Sequence, residues 1–250
     1  MRRHLVRGGV LALGLCGAAA TLVATRGSEA AVPGAGTVTY TKGTTERASS
    51  AGDFTAVAVG APLSEGDRLR TGAASRLEVK LKDGSVLRLA DRSELKLQSA
   101  QFGPREKKRF DAKLFAGRLW AAVTKLVGSD SSFEVETTNA VAGVRGTRFA
   151  AAVEGGDTTV RVYDGAVLVS NKPIYAKEGH TKAKRVQVAG PQEISQKQWT
   201  EMVASAMQLV KVTSAGEVSQ PESFAMTTGG DDDWESWNSG RDQQGGFLER

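Results

Sequence analysis

Residues 77–89 read Leu-Glu-Val-Lys-Leu-Lys-Asp-Gly-Ser-Val-Leu-Arg-Leu, and this stretch decides the fold class. Every second residue from Leu77 is apolar and the residues between are charged, a strict alternation that predicts a strand with one buried face. Asp83-Gly84 follows, a pair that accepts positive φ at low cost, and the alternation then resumes. The stretch therefore predicts a tight β-hairpin.

The same pattern recurs on both sides of this hairpin. Gly66-Asp67 marks an earlier turn, and residues 114–120 suit a central strand or a strand that bends at its glycine. Gly143 and Gly146 predict a bulge or a close backbone approach, and Asp164-Gly165 separates two further strand-like runs. Such breaks recur about every 8–12 residues, as in an all-β domain. We expect an all-β, antiparallel and hairpin-rich domain over residues 35–172, either a sandwich or roll or a solenoid-like domain.

One amphipathic helix is predicted after the β domain, within a C-terminal extension over residues 173–212. Ser195 followed by Gln198 forms a capping box, and apolar residues from Trp199 to Val210 share one face at helical spacing. The helix is expected at about residues 195–210, where it would dock on the β domain or bind a partner. Residues 213–250 are rich in Ser, Gly, Gln and Asp and are expected to form a flexible acidic tail that contains Trp234 and Trp237.

The first 30 residues predict export from the cell. Arg2, Arg3 and Arg7 precede a weakly apolar run over residues 10–24, which is about the length of a signal-peptide core. A cleaved signal peptide is the leading interpretation, and an uncleaved N-terminal anchor, the one membrane contact expected, is the alternative. Removing residues 1–30 takes four basic groups and one acidic group from a net charge of +5, which leaves +2. A near-neutral body argues against nucleic-acid binding.

Reactive side chains are scarce in this sequence. Cys16 is the single cysteine, which excludes an internal disulfide and a thiolate zinc cluster, and His4 and His180 are the two histidines, too few for a several-histidine metal site. No GxSxG, Walker or GxGxxG motif occurs. Asp83 and Asp164 each precede a glycine, so turn chemistry explains them without any reaction. We expect no catalytic residue, no cofactor and no metal.

Two groups of motifs stand out in the predicted β domain. The first lies at residues 36–38, 62–72 and 77–85, and the second at residues 133–137, 144–149 and 162–167. They resemble the first and second halves of the FecR-type domain family. The resemblance covers about residues 35–170 and implies an all-β, non-enzymatic, extracytoplasmic domain. The motif and turn positions are Gly66, Asp67, Asp83, Gly84, Val144, Arg145, Gly146, Thr147, Phe149, Asp164 and Gly165.

The namesake regulators of this family relay a signal from an outer-membrane receptor to a sigma factor. Only about nine residues precede the apolar run here, so we expect a stand-alone FecR-domain protein without their cytoplasmic anti-sigma segment. We expect it in the periplasm or cell envelope of a bacterium, where it would bind an envelope protein or a surface polymer and take part in signal relay.

A second hypothesis is a structural or assembly component of the cell envelope or of a secretion apparatus. In that case the protein would dock through its tryptophan-containing tail, because tryptophans are favoured anchors in interfaces. The candidate partner contacts are Trp199, Trp234 and Trp237.

Overall fold

The computed structural model describes residues 34–50, 52–102, 108–125, 131–171, 203–226 and 233–245. This part of the chain holds the strands β1 (Gly36–Lys42), β2 (Thr45–Ala48), β3 (Thr55–Ala56), β4 (Pro62–Leu63), β5 (Arg68–Thr71), β6 (Arg76–Leu81), β7 (Val86–Leu89), β8 (Glu94–Gln101), β9 (Arg109–Ala122), β10 (Ser132–Glu136), β11 (Ala140–Val144), β12 (Arg148–Glu154), β13 (Asp157–Asp164), β14 (Ala166–Asn171), β15 (Val203–Ser205), β16 (Gln208–Val212) and β17 (Glu222–Ser223). One helix, α1, spans Trp234–Gln244.

The strands form two sheets that share β9. Sheet A has the order β4-β1-β6-β7-β9-β12-β13-β16-β17. Sheet B has the order β3-β2-β5-β8-β9-β10-β11-β14-β15. These neighbours pair antiparallel except β9 and β10, which run parallel. The predicted all-β, antiparallel and hairpin-rich class is confirmed.

Strand β9 passes from one sheet to the other at Gly117. Residues 109–116 pair with β8 in sheet B, whereas residues 119–122 pair with β7 in sheet A. Gly117 has a φ of 80°, and a Cβ there would lie 2.6 Å from the Cα of Ser93. Glycine permits both the left-handed backbone and this close approach, so the predicted bend is confirmed.

The side chains between the sheets form one hydrophobic core. Leu77, Val79 and Leu81 on β6 are at most 2% exposed, as their alternation predicted. Phe110 of β9 stacks on Phe133 of β10 with ring centroids 4.6 Å apart. Strands β6 and β7 pair across the Asp83-Gly84 turn, which confirms the predicted hairpin.

The second Asp-Gly pair makes a different connection. Strand β13 ends at Asp164 in sheet A, and β14 begins at Ala166 in sheet B, so the two strands join different sheets. Gly165 between them has a φ of 83°, which suits a sharp change of direction. The chain therefore turns a corner of the sandwich here, whereas Asp83-Gly84 closes a hairpin within one sheet.

The predicted helix over residues 195–210 is wrong from residue 203 onward. Strand β15 pairs with β14, and β16 pairs with β13. Met207 between them has a φ of 60°, a left-handed conformation that interrupts any α-helix. Val210 and Val212 are fully buried, so pairing with the sheet overrides the helical spacing. Residues Ser195, Gln198 and Trp199 lie outside the described residues.

Much of the predicted flexible tail, residues 213–250, is structured. Strand β17 pairs with β16, and α1 follows. Trp234, Asn238 and Asp242 are at most 4% exposed, and their spacing of four residues places them on one face of α1. The polar composition of the tail suggested that it would be solvated. The three buried residues on one face of α1 are nevertheless enough to hold the helix on the sheet. Within the described residues, the helix therefore lies at Trp234–Gln244 and not at residues 203–210.

The predicted signal peptide or anchor, residues 1–30, lies outside the described residues. Among the described helical residues, no helix is both long and apolar enough to cross a membrane.

Candidate functional site

Helix α1 packs on the face of sheet A that points away from the core. Leu77 and Val79 face the core, so alternation turns Glu78 outward, and Arg88 on β7 is turned outward in the same way. Both charged residues are nevertheless buried, at 6% and 2% exposure, because α1 covers them. We call this surface the helix-docking face; it comprises Tyr40, Arg76, Glu78, Arg88, Trp120 and Tyr163.

Arg88 is the centre of a buried ionic network. Its Nε donates to Oε2 of Glu78 at 2.6 Å, and its Nη1 donates to Oδ1 of Asp242 at 2.6 Å. Trp120 Nε1 donates to the other carboxylate oxygen of Asp242 at 3.0 Å. A buried charge is tolerated when it is paired and hydrogen-bonded in this way, so the network fixes the position of α1 on the sheet.

Glu78 receives a second arginine from the helix. Nε and Nη2 of Arg241 donate to its two carboxylate oxygens at 2.7 Å each, which is the bidentate arrangement that guanidinium and carboxylate groups favour. Thr39 Oγ1 donates to Oε1 at 2.7 Å. Burial alone would raise the pKa of Glu78, but hydrogen bonds from Arg241, Arg88 and Thr39 outweigh it and lower the pKa from 4.5 to about 2.

We expect this lowered pKa to make stability depend on pH through Glu78. The folded state favours the ionised form, so the contribution is complete above pH 4.5 and is lost as pH falls toward 2. Glu78→Gln removes the titrating group. The difference in unfolding free energy between the wild type and this variant should therefore shrink between pH 4.5 and pH 2, as measured by urea unfolding at each pH. A constant difference across that range would contradict the assignment.

Aromatic rings surround the ionic network. Trp234 and Trp237 of α1 stack with centroids 5.5 Å apart, and Trp237 lies 5.5 Å from the ring of Tyr40. Below the helix, Trp120 packs 4.3 Å from Tyr163, whose hydroxyl donates to Oε1 of Glu235 at 2.7 Å. Burial raises the pKa of the Tyr163 phenol, and the hydrogen bond to Glu235 raises it further. Tyr163 therefore acts as a neutral donor to the helix.

Arg76 holds the beginning of α1. Its guanidinium lies 4.7 Å from the ring centroid of Trp237 and 5.7 Å from that of Trp234, within the range of cation–π attraction. It also pairs with Asp233, and the hydrogen bond from Arg76 lowers the pKa of that carboxyl. The two predicted contact tryptophans in the described part of the tail thus pack against the chain's own β domain.

Sequence reasoning missed the charged members of this site. The alternation puts Glu78 and Arg88 on the face opposite the predicted buried one, and Asp242 lies in the predicted flexible tail. Nothing local distinguishes the three from ordinary surface charges. The one available signal was the spacing of Trp234, Trp237, Arg241 and Asp242, which fits one side of a helix.

Four of the motif positions, Gly66, Asp67, Val144 and Phe149, have structural roles in a turn or in the core. Asp67 is 2% exposed; its Oδ2 accepts from the backbone N–H of Ser64 at 2.7 Å and forms an ion pair with Nε of Arg47 at 2.9 Å. Gly66 beside it has a φ of 90°. Val144 and Phe149 of the second half are core residues, which leaves them no contact role at the surface.

Five other motif positions meet around a cavity of about 350 Å³, which we call the motif cavity. Its wall combines the end of β6, the β6–β7 turn, the residues after β9, the β11–β12 turn with the start of β12, the end of β13 and the residue that follows α1, Gly245. A Cβ on Gly146 would lie 2.8 Å from Cγ and 3.2 Å from Cα of Lys125, which confirms the predicted close approach at this glycine. Gly143 pairs regularly with Leu168, and a Cβ there would meet its nearest atom at 3.9 Å, so the prediction is wrong at that position. The motif positions in the wall are Asp83, Gly84, Gly146, Thr147 and Asp164.

Arg145 and Gly165 adjoin this wall without lining the cavity. Within the described ranges no group of three or more His, Cys, Asp or Glu residues is placed to hold a metal ion.

Residues 67–168 match the family model described as FecR protein. The match lies within the β domain and agrees with the motifs that resemble this family.

Two crystal structures are similar to this chain, and both are described as a candidate anti-sigma factor from Parabacteroides distasonis ATCC 8503. Their TM-scores are 0.44 and 0.43, at 17% sequence identity, with 62% of this chain covered. The chain spans 59% of the length of those solved chains. No curated protein matches the sequence.

Proposed function

We propose that this protein is a non-enzymatic FecR-domain protein of the periplasm or cell envelope that acts by binding another envelope protein or a surface polymer, in the manner of a signalling regulator. The helix-docking face is its recognition surface, and α1 is the intramolecular occupant of that surface. The observation that carries the proposal is the buried network of Arg88, Glu78 and Asp242.

If α1 served only to cover this face of the sheet, an apolar contact between helix and sheet would be the simpler arrangement. Replacing a buried ion pair by apolar residues of similar volume is often neutral or stabilising, so this network adds little as a cohesive element. Its arginines and carboxylates fix one register of the helix and reject others. Selective recognition of one helical sequence is the property of a binding surface.

Release of α1 would return these charges to water. Arg88 and Glu78 would keep each other as partners on the sheet, while Arg241 and Asp242 would be solvated with the helix. The exposed face would then present aromatic rings and two arginines, Arg76 and Arg88, which are residue types enriched in interaction hot spots. A competing ligand would need an acidic group in the place of Asp242 and an apolar surface in the place of Trp237.

The assembly alternative requires the same release of α1. Trp234 and Trp237 are engaged within the chain, so they can anchor a neighbouring subunit only after the helix has left its own domain. We therefore favour recognition by the helix-docking face over assembly through the tryptophans, because that face is already formed in the folded protein. The absence of catalysis is inferred from the regulatory character of the family.

Photo-crosslinking in intact cells tests the proposal. A photoreactive phenylalanine analogue replaces Tyr40, at the edge of the helix-docking face, and in a control it replaces Val59, which is 59% exposed on a loop. Trp237→Ala together with Arg241→Ala weakens helix docking. We expect adducts with an envelope component at position 40 to increase at least about tenfold in this double variant, since a competing helix is removed.

The recovered protein is also sequenced from its N-terminus, which reports whether residues 1–30 are cut. Recovery from the cytoplasm, or adducts that form equally at position 59 and do not respond to the double variant, would contradict the proposal.

A further inference from the structure

The motif cavity takes no part in the ionic network under α1. Its volume of about 350 Å³ lies within the range of about 300–1,000 Å³ that is typical of small-molecule sites. We infer that it binds a small acid, through carboxylate or phosphate oxygens held by Arg148 and Lys125.

The walls of the cavity are braced by side-chain hydrogen bonds. Both carboxylate oxygens of Asp83 accept from Ser85, one from its backbone N–H and one from its hydroxyl, at 2.9 Å each. Thr124 N–H donates to the Ser85 hydroxyl at 3.1 Å, and Thr147 Oγ1 donates to the Ala166 carbonyl at 3.0 Å. These bonds tie the segments of the wall together, so the cavity is preformed.

The charge of the lining favours an anion. Among the described residues of the lining, Lys80, Lys125 and Arg148 face Asp83 and Asp164, an excess of one positive charge. The Asp83 carboxylate is already used within its turn. The Asp164 carboxylate is 61% exposed and reaches Nη2 of Arg148 at 3.5 Å, so its hold on that guanidinium is weak.

Arg148 supplies the observation that points to a ligand. Its side chain is 20% exposed, and its Nε is buried without a hydrogen-bond acceptor among the residues that the structure describes. The Nε atom is closed to solvent and therefore to a ligand in the cavity, but Nη2 reaches Asp164 only at 3.5 Å, longer than a normal hydrogen bond, and so has donor capacity to offer. A guanidinium pairs well with the oxygens of a carboxylate or a phosphate, and a bound acid would accept from this end of Arg148.

The two lysines extend this site beyond one acid group. Lys80 and Lys125 are both solvent-exposed members of the lining, so their ammonium groups can pair with a second acidic group on the same ligand. A diacid therefore fits the cavity better than a monoacid. Glutarate and inorganic phosphate serve as probes, because they separate carboxylate recognition from phosphate recognition.

The full-length protein is titrated with each probe at low salt, and the backbone amide signals of Gly84 and Gly146 are followed by NMR. We expect saturable shifts at both glycines with at least one probe. Arg148→Gln and Lys125→Gln should each weaken binding by about tenfold, the effect of losing one charge-assisted hydrogen bond. Lys82→Gln makes the same charge change outside the lining and should leave affinity unchanged.

Saturation by glutarate alone assigns carboxylate recognition, saturation by phosphate alone assigns phosphate recognition, and saturation by both supports a general acid site. Lack of saturation up to about 20 mM of either probe would overturn the inference. The inference would also be overturned if Arg148→Gln and Lys125→Gln both bound the probes as tightly as the wild type. If Arg148→Gln does not fold, Lys125→Gln decides, because Lys125 is exposed and its truncation leaves the core intact.

Discussion

Gly117→Ala is expected to destabilise the protein by about 2–5 kcal/mol, which combines the cost of a left-handed alanine with that of overpacking. A Cβ at this position would lie 2.3 Å from Ser93 Oγ and 2.8 Å from the carbonyl oxygen of Arg92. Ser93 cannot move aside, since its hydroxyl accepts from the Arg118 backbone N–H at 2.9 Å. Strand β9 would have to shift at the point where it joins the two sheets.

Gly60→Ala is the matched control for this prediction. Gly60 has a φ of 89°, close to that of Gly117, but a Cβ there would meet no atom within 4 Å. We expect this variant to lose about 1–2 kcal/mol, the cost of the backbone conformation alone. Urea unfolding of both variants measures the difference. Equal losses would show that the crossing at Gly117 tolerates a side chain.

Arg88→Ala is expected to detach α1 and to destabilise the folded protein by about 3–5 kcal/mol, because Glu78 and Asp242 would lose their shared buried cation. The loss is limited by the docking energy of the helix, since undocking lets water reach both carboxylates. Tryptophan fluorescence should shift to the red as Trp234 and Trp237 become solvated. Limited proteolysis should cut near α1 while the β domain survives.

The control for this variant is Arg70→Ala, which removes an exposed ion pair with Glu46 on the other sheet. Its expected cost is below about 1 kcal/mol, as for surface pairs in general. A β domain that is degraded together with α1 in Arg88→Ala would show that the arginine supports the sheet itself. Unchanged fluorescence and stability would show that the network does not hold the helix.

Local patterns in the sequence were sufficient to predict much of the β domain. The alternation from Leu77 and the Asp83-Gly84 turn predicted a hairpin, and both depend on neighbouring residues alone. The bend at Gly117 was predictable for the same reason. The resemblance to FecR domains added expectations about the compartment and the role, which these patterns cannot supply.

Positions that depend on distant partners were not predictable in this way. Arg88 and Asp242 are 154 residues apart in the sequence. The residues next to Arg88 therefore do not indicate that this outward-facing side chain is buried. Residues 203–212 carried a helical spacing, but two existing strand edges, β13 and β14, were available to pair with them. The polar composition of residues 213–250 predicted a flexible tail. Composition alone does not show that a face of sheet A is available for α1 to pack on.

The position of β9 in both sheets also bears on how the chain folds. Strands β1 to β8 precede β9 and can form their pairings as soon as residues up to Ala122 are present. Strands β10 and β12 pair with β9 directly, so the second half of the chain assembles on an edge that the first half has built. Pairing between distant strands is the slow step in β proteins, and a prebuilt edge shortens that search. The order of synthesis, from the N-terminus onward, therefore matches the order in which folding templates become available.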